Sequence, residues 1–279
     1  RQRQMCIRDR LNGEKEMEII VCIKQVPDTE ELHKVKINSE TRTLIREGIK
    51  NIINPLDENA IEEALRLREK IGGRVTVISM GPPQAETSLR KALAMGVDRA
   101  ILLSDKSFAG SDTLATSYTL AMAIKKLGKF DLILSGKQAI DGDTAQVGPG
   151  LAEWLNLPQI TYARKIEVNE KKIRAERTLE DSFELVESPL PALITVTKEI
   201  NEPRYPSLKG VLRARKEKII IWTAKDLKIN EKRTGLEGSA TRVIKVFTPP
   251  SPSGGEIISG ETSKVAENLI KKLEEHRII

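Results

Sequence analysis

From Met17 onward the chain sets short, nearly unbroken apolar runs against longer segments whose apolar positions recur every three or four residues. Glu18-Ile-Ile-Val-Cys-Ile23 is the first run, the pattern of a strand buried on both faces. Arg74–Met80, Arg99–Leu103 and Phe130–Ser135 repeat it. Between them the spacing predicts helices. One opens at Asn54-Pro55, an N-cap followed by proline at the first helical position. Ile61, Ala64, Leu65 and Ile71 share one of its sides, and Gly72-Gly73 stops it. A second covers Gln84–Met95 and ends at Gly96. A third, Leu114–Leu127, follows Gly110-Ser111-Asp112-Thr113 and ends at Gly128. A fourth begins at Leu151–Leu155. Strands alternating with helices over 18–156 predict an α/β fold with a doubly wound, mostly parallel sheet. Right-handed crossovers then bring the loops that leave the strands to one sheet edge.

Two stretches break this rhythm. Residues 30–51 alternate weakly and predict a small hairpin with its turn near Asn38-Ser39. After Pro158 strands follow one another directly: Ile160–Val168, Lys171–Thr178, Ser182–Val186 and Leu193–Val196, with Asn169-Glu170 and Glu180-Asp181 as turn signals. The segment from about Gly235 to Gly260 is rich in Gly, Pro and Ser and predicts an extended arm. An amphipathic helix over Ser263–His276 closes the chain, with Val265, Leu269, Ile270 and Leu273 on one side. That stripe is a packing face, for this chain or another subunit. The expected division is therefore a leader over 1–16, an α/β domain over 17–213, and a C-terminal arm and helix over 214–279. Residues 1–16 show no apolar period and read as a non-native leader before Met17; a basic targeting arm is the alternative.

Composition narrows the class. A chain of 279 residues suffices for a real core, and 31% charged with 39% hydrophobic residues is a globular composition. No apolar run approaches the ~18–20 residues that span a membrane. The leader carries five basic and three acidic residues, so it supplies +2 of the formal +6 and leaves a modest +4. With 3% aromatics there are few stacking platforms, and nothing demands nucleic acid. Two cysteines, Cys6 and Cys22, form no disulfide framework, which predicts a reducing cytoplasm. The two histidines, His33 and His276, stand in no metal or nucleophile spacing.

The candidate chemistry lies in Lys137-Gln-Ala-Ile-Asp-Gly-Asp-Thr-Ala-Gln-Val-Gly-Pro149, between the fourth strand and the next helix. A strand, a glycine-bearing loop and a helix N-terminus make an anion site, because free backbone N–H groups and the positive helix end converge. Gly142 is expected to take positive φ, and Asp143 to cap the helix through the N–H of Ala145 or Gln146. Thr144 and Gln146 add neutral donors. This loop is the candidate holder of a nucleotide pyrophosphate; the plainer alternative is a capped helix after a strand. Asp141 and Asp143 resemble a Mg²⁺ pair but read more simply as residues that shape the loop. The loop has neither a P-loop nor a Rossmann fingerprint, which argues for holding a nucleotide rather than cleaving it. Cys22, Asn54, Met80, Asp112 and Thr113 reach the same edge. Cys22 reads as a small buried hydrophobe, and Asn54 as helix cap, adenine or ribose contact, or both.

The loop, together with Asn201-Glu-Pro-Arg-Tyr-Pro-Ser-Leu208, resembles the paired signatures of the electron transfer flavoprotein β subunit. The resemblance runs collinearly from Met17 to about Lys218. It implies a Rossmann-like, adenine-nucleotide-binding domain that pairs with an α subunit carrying the main FAD. It also implies that the nucleotide is surrounded by the stretches matching Cys22, Asn54, Met80 and 139–148: Ala139, Asp141, Gly142, Asp143, Thr144, Ala145, Gln146, Val147 and Gly148. The loop at 201–208 matches one that docks a dehydrogenase, so Arg204, Tyr205 and Leu208 are candidate partner contacts. The basic run Arg213, Arg215, Lys216 and Lys218 is a solvated face or a match for an acidic partner.

Two branches of the family differ in the β nucleotide: structural AMP in the ordinary branch, a second FAD in the bifurcating branch. The second FAD takes a hydride from NADH and divides its electrons between a high-potential acceptor and a low-potential one such as ferredoxin. Small residues after each Asp of the loop, and Lys-Gln-Val-Pro-Asp-Thr at 24–29, resemble the bifurcating or FixA-like branch. The expectation is therefore FAD, with AMP as the alternative. The implied partners are an α subunit, an acyl-CoA or other flavin dehydrogenase, NADH, and ferredoxin or quinone-linked acceptors. A stand-alone ATP-binding α/β domain is the rival from another class.

Overall fold

The computed structural model describes residues 16–28, 30, 36–37, 44–45, 50–169, 171–244 and 255–279. The expected leader lies outside these residues except for Glu16, as does most of the expected hairpin at 30–51, including its turn at Asn38-Ser39.

Strand β1 (Met17–Ile23) is followed by β2 (Gln25–Pro27), the two-residue strands β3 (Lys36–Ile37) and β4 (Leu44–Ile45), and β5 (Asn51–Ile53), which pairs antiparallel with β2. Then come α1 (Pro55–Ile71), β6 (Gly73–Met80), α2 (Glu86–Met95), β7 (Arg99–Leu103), α3 (Thr113–Leu127), β8 (Leu132–Gly136) and α4 (Val147–Leu155). The strand-rich part is β9 (Gln159–Asn169), β10 (Lys172–Thr178), β11 (Phe183–Pro189) and β12 (Ala192–Val196). Helix α5 (Leu208–Lys216), β13 (Ile220–Trp222), α6 (Ala224–Leu227), α7 (Gly235–Gly238) and α8 (Thr262–Glu275) complete the chain.

Nine strands form one sheet in the order β11-β10-β9-β12-β8-β1-β6-β7-β13. Every pairing from β9 to β13 is parallel; β9, β10 and β11 are antiparallel to one another in turn. The chain winds outward from β1 in both directions. The strand order therefore reverses between β1 and β8, and a crevice opens beyond the C-terminal ends of these two strands.

Alternation sorts the core into two faces. Ile19, Val21, Val75, Val77, Leu132 and Leu134 meet Ile61 and Leu65 of α1, Leu89 and Leu93 of α2, and Ala214 of α5. Ile20, Cys22, Ile78, Ile101 and Ile133 meet Leu120 and Ile124 of α3, Leu151 of α4 and Leu227 of α6. Burying a leucine or isoleucine on either side contributes roughly 1.5–3 kcal/mol.

The chain divides into two compact units, of which the larger runs on to Ile244. The boundary expected at 213/214 falls inside α5, and β13 extends the sheet by pairing with β7. Lys126 stacks its ammonium 4.7 Å from the Trp222 ring there. In the other unit, α8 leaves Leu269 and Ile270 about half exposed.

Candidate functional site

The crevice is built around a residue that the sequence pattern does not single out. Asp57, in the first turn of α1, accepts hydrogen bonds from Lys24 N at 2.7 Å and from Gly136 N at 2.9 Å. Those two N–H groups leave the ends of β1 and β8, so one carboxylate ties the two strands together where their loops diverge. Gly136 is required for this: a Cβ there would lie 2.6 Å from Asp57 Oδ1 and 2.7 Å from Leu56 Cβ. Burial pushes the Asp57 carboxyl up to about 7, against hydrogen bonds from Lys24, Asn54 and Gly136 that favour the ionised form. Burial, and then the nearby Asp57, push the Cys22 thiol up to about 12, so Cys22 is an inert core residue.

Asn54 is 1% exposed and carries no side-chain cap bond to α1. Its amide holds the central loop instead, donating to Gln138 O at 2.9 Å and accepting from Ile140 N at 3.2 Å. The expected cap is therefore corrected: proline at the first helical position leaves fewer N–H groups to satisfy, and the side chain is free to bind the neighbouring loop.

The loop from Gln138 to Gln146 also departs from expectation. Gly142 is not in the left-handed region; Asp143 (φ 50°) and Ala145 (φ 54°) are. Asp143 accepts from Gln138 Nε2 rather than capping α4, whose N-cap is Gln146 with no side-chain cap bond. The turn Gly142–Asp143 closes on Ala139 O, which consumes those two N–H groups. Beyond it Ala145 has positive φ and Gln146 sits at φ −104°, ψ −15°. A left-handed residue followed by a right-handed one turns successive N–H groups into one concavity suited to an anion. Among the described residues, the N–H groups of Thr144, Ala145, Gln146, Val147 and Gly148 have no acceptor. Ser135 Oγ is buried without a partner among the described residues and lies 3.5 Å from the point a Gly148 Cβ would occupy. Ser79 Oγ, near the end of β6, is likewise buried and unpartnered among the described residues.

Lys24 reaches across from the end of β1. Its Nζ lies 2.6 Å from Asp141 Oδ1 and 3.9 Å from the point a Gly142 Cβ would occupy. Met80 is half-buried at the end of β6 and packs on the core. Asp112 is spent inside the chain: Oδ1 accepts from Leu114 N and Ala115 N, and Oδ2 from the N–H and hydroxyl of Thr241. Burial raises its pKa, but these bonds outweigh burial and hold it below the ordinary value. Thr113 opens α3 beside it.

The second candidate surface is the segment 201–212. Asn201 bonds Asn59 and Glu63, and Arg204 forms ion pairs with Glu62 at 2.7 Å and with Glu69. The Arg204 guanidinium thus fastens the loop to α1; its bonds, with those of Arg66, hold Glu62 below the ordinary carboxylate range despite burial. Arg213 is likewise spent, donating to Leu93 O and Val97 O at the end of α2. Tyr205 and Leu208 stand 93% and 77% exposed, with Leu212 one turn further on. Ser207 caps α5 through Gly210 N. Leu208 is therefore the first residue of a helix.

Among the described residues no cluster of His, Cys, Asp and Glu is arranged to hold a metal, and no helix is long and apolar enough to cross a membrane. A switch-point crevice lined with backbone donors is a place where α/β folds take anionic ligands. The electron transfer flavoprotein domain model matches residues 41–227. An electron transfer flavoprotein subunit beta of Thermoanaerobacterium thermosaccharolyticum is 52% identical over 264 residues, covering 94% of this chain and all of the relative. The caffeyl-CoA reductase–Etf complex subunit CarD of Acetobacterium woodii is 50% identical over 94% of this chain and all of its own. Protein FixA of Bradyrhizobium diazoefficiens is 46% identical over 91% of this chain and 90% of its own. The chain belongs to the β-subunit family of electron transfer flavoproteins.

Proposed function

We propose that this chain is the nucleotide-binding β subunit of a heterodimeric electron transfer flavoprotein of the bifurcating type, holding FAD at the β1–β8 crevice. The observation that carries the reading is the run of five N–H groups, from Thr144 to Gly148, that lead into α4 and have no acceptor among the described residues. They suit a pyrophosphate, whose charge the positive helix end also favours. The orphaned Ser135 hydroxyl beside them supports the same ligand class. Bound FAD supplies two-electron acceptance from NADH and one-electron delivery to two acceptors. The chain supplies position: Asn54 and Asp57 hold the loop on the strand ends, and Ala139 to Gly148 wrap the phosphates. Cys22 and Met80 provide apolar wall.

Tyr205 and Leu208, on a segment fastened by Arg204, form the docking surface for an acyl-CoA or other flavin dehydrogenase. Similarity to CarD, a subunit of a caffeyl-CoA reductase complex, supports a partner of that class. The arm and α8 anchor the α subunit through Val265, Leu269, Ile270 and Leu273. The complex works in the cytoplasm. The deciding experiment is co-purification with the α subunit, denaturation, and chromatography of the released nucleotides. Two FAD per heterodimer is the expected result; one FAD with one AMP moves the chain to the ordinary branch. A colourless chain that binds ATP and Mg²⁺ without a partner removes the flavoprotein reading.

A further inference from the structure

We infer that Lys24 is a phosphate ligand of this crevice and that Asp141 is its place-holder, surrendering the ammonium when a nucleotide binds. The inference rests on the nucleotide-holding reading above. Three observations carry it. First, the Lys24 main chain is immobilised at the crevice floor: its N–H donates to Asp57 and its carbonyl accepts from Asn54 N at 2.9 Å. Second, its side chain crosses to the loop on the other side and brings the ammonium to 2.6 Å from Asp141 Oδ1. Third, that loop leads, three residues after Asp141, into the N–H groups of Thr144 to Gly148, which have no acceptor among the described residues.

An ammonium fixed at the lip of an anion concavity has two competing acceptors once a phosphate enters. The Lys24 side chain is 48% exposed, so its pair with Asp141 is a solvent-screened one of small worth. A phosphate oxygen offers a charge-assisted bond of at least equal strength and, besides the ammonium, engages the loop N–H groups. The exchange also places the ammonium against the incoming phosphate, where it offsets the repulsion between that group and the Asp141 carboxylate. Asp141 keeps Lys24 ordered and aimed in the meantime, so little side-chain freedom is lost on binding.

The test is a thermodynamic cycle of nucleotide affinity on the full-length chain, by calorimetry, with FAD, ADP and AMP as probes. Lys24→Met should weaken each probe about tenfold and reduce the salt dependence of binding by about one ion. Asp141→Asn should tighten binding about threefold when Lys24 is present and have no such effect in the Lys24→Met background. Equal tightening in both backgrounds would show simple repulsion between Asp141 and the ligand and would overturn the exchange. Weaker binding on Asp141→Asn would show a pair that persists in the complex, and would overturn it equally. Circular dichroism and melting of each variant establish that it is folded, which an exposed ion pair permits. If the unmodified chain binds none of the three probes, the nucleotide reading fails; if it binds them and Lys24→Met binds equally well, only the role of Lys24 fails.

Discussion

Asp57 accepts the Gly136 N–H at 2.9 Å, and no side chain larger than hydrogen fits at Gly136 while it does so. Gly136→Ala should therefore destabilise the chain by about 1–3 kcal/mol, since backbone and helix start must move apart. The same change should lower nucleotide content, because β8 leads directly into the loop proposed to hold the phosphates. Chemical denaturation and a count of bound nucleotide check both.

Asp57 also predicts a pH dependence. Its folded pKa is raised from 3.8 to about 7, so the folded state holds a proton that the unfolded state has already released. The associated stability is fully present below about pH 4 and is lost as pH rises to about 7, at a limiting slope of about 1.4 kcal/mol per pH unit. Asp57→Asn should flatten the unfolding free energy across that window. Urea titrations at successive pH values measure it; an unchanged profile in the variant would place the dependence elsewhere.

Positive φ belongs to Ala145, not Gly142. Gly142→Val meets only the flexible end of Lys24 and should fold normally. Ala145→Val forces a β-branched residue into the left-handed region, at about 1–2 kcal/mol, and should empty the concavity of its ligand. Melting temperature and nucleotide content of the two variants should diverge in this direction.

Leu208→Ala should weaken dehydrogenase binding by about 1–3 kcal/mol with fold and flavin spectrum unchanged, since Leu208 is exposed in the free chain. Arg204→Met acts differently. It frees the segment from Glu62 and Glu69, so it should weaken the same binding by making the segment flexible and should also lower thermal stability. Surface plasmon resonance against the dehydrogenase, beside melting curves, separates anchor from fastening.

A chain ended after Glu217 should be less stable than one ended after Ile244. The shorter chain loses β13, exposes the β7 edge, and removes Ala224 and Leu227 from the second core face. A deficit of about 2–5 kcal/mol follows from burial of that size. Parallel denaturation of the two truncations checks it.

Much of the fold is legible in the chain because its parallel strands are buried on both faces and read as plain apolar runs. Arg99–Leu103 falls where the pattern puts it. β13 escapes because its apolar run, Ile219-Ile-Ile-Trp222, is only four residues long and follows the basic stretch Arg213–Lys218 rather than a helix-and-turn signal. At the site, the strand–loop–helix order of 130–155 is legible, whereas its interior is not. Which residue takes positive φ depends on where the turn closes, here on Ala139 O. Asp57 and Lys24 are invisible for a different reason: their roles arise only when β1 and β8, far apart along the chain, are brought side by side. Arg204 illustrates a further reason: its pairing with the chain's own Glu62 and Glu69 shows only once the segment is folded onto α1.

Helix α1 meets both candidate surfaces. Asn54 at its cap holds the loop at Gln138, Asp57 holds the end of β8 at Gly136, and Asn59, Glu62 and Glu69 along its length hold the segment at Asn201 and Arg204. At about 1.5 Å per residue, Asp57 and Glu69 stand roughly 18 Å apart along one rigid rod. In the complex proposed above the helix is thus a ruler: it sets where a docked protein stops relative to the crevice. On that proposal Tyr205 and Leu208 can be exchanged to suit another partner without altering the spacing, which would make the choice of partner and the geometry of transfer separately heritable.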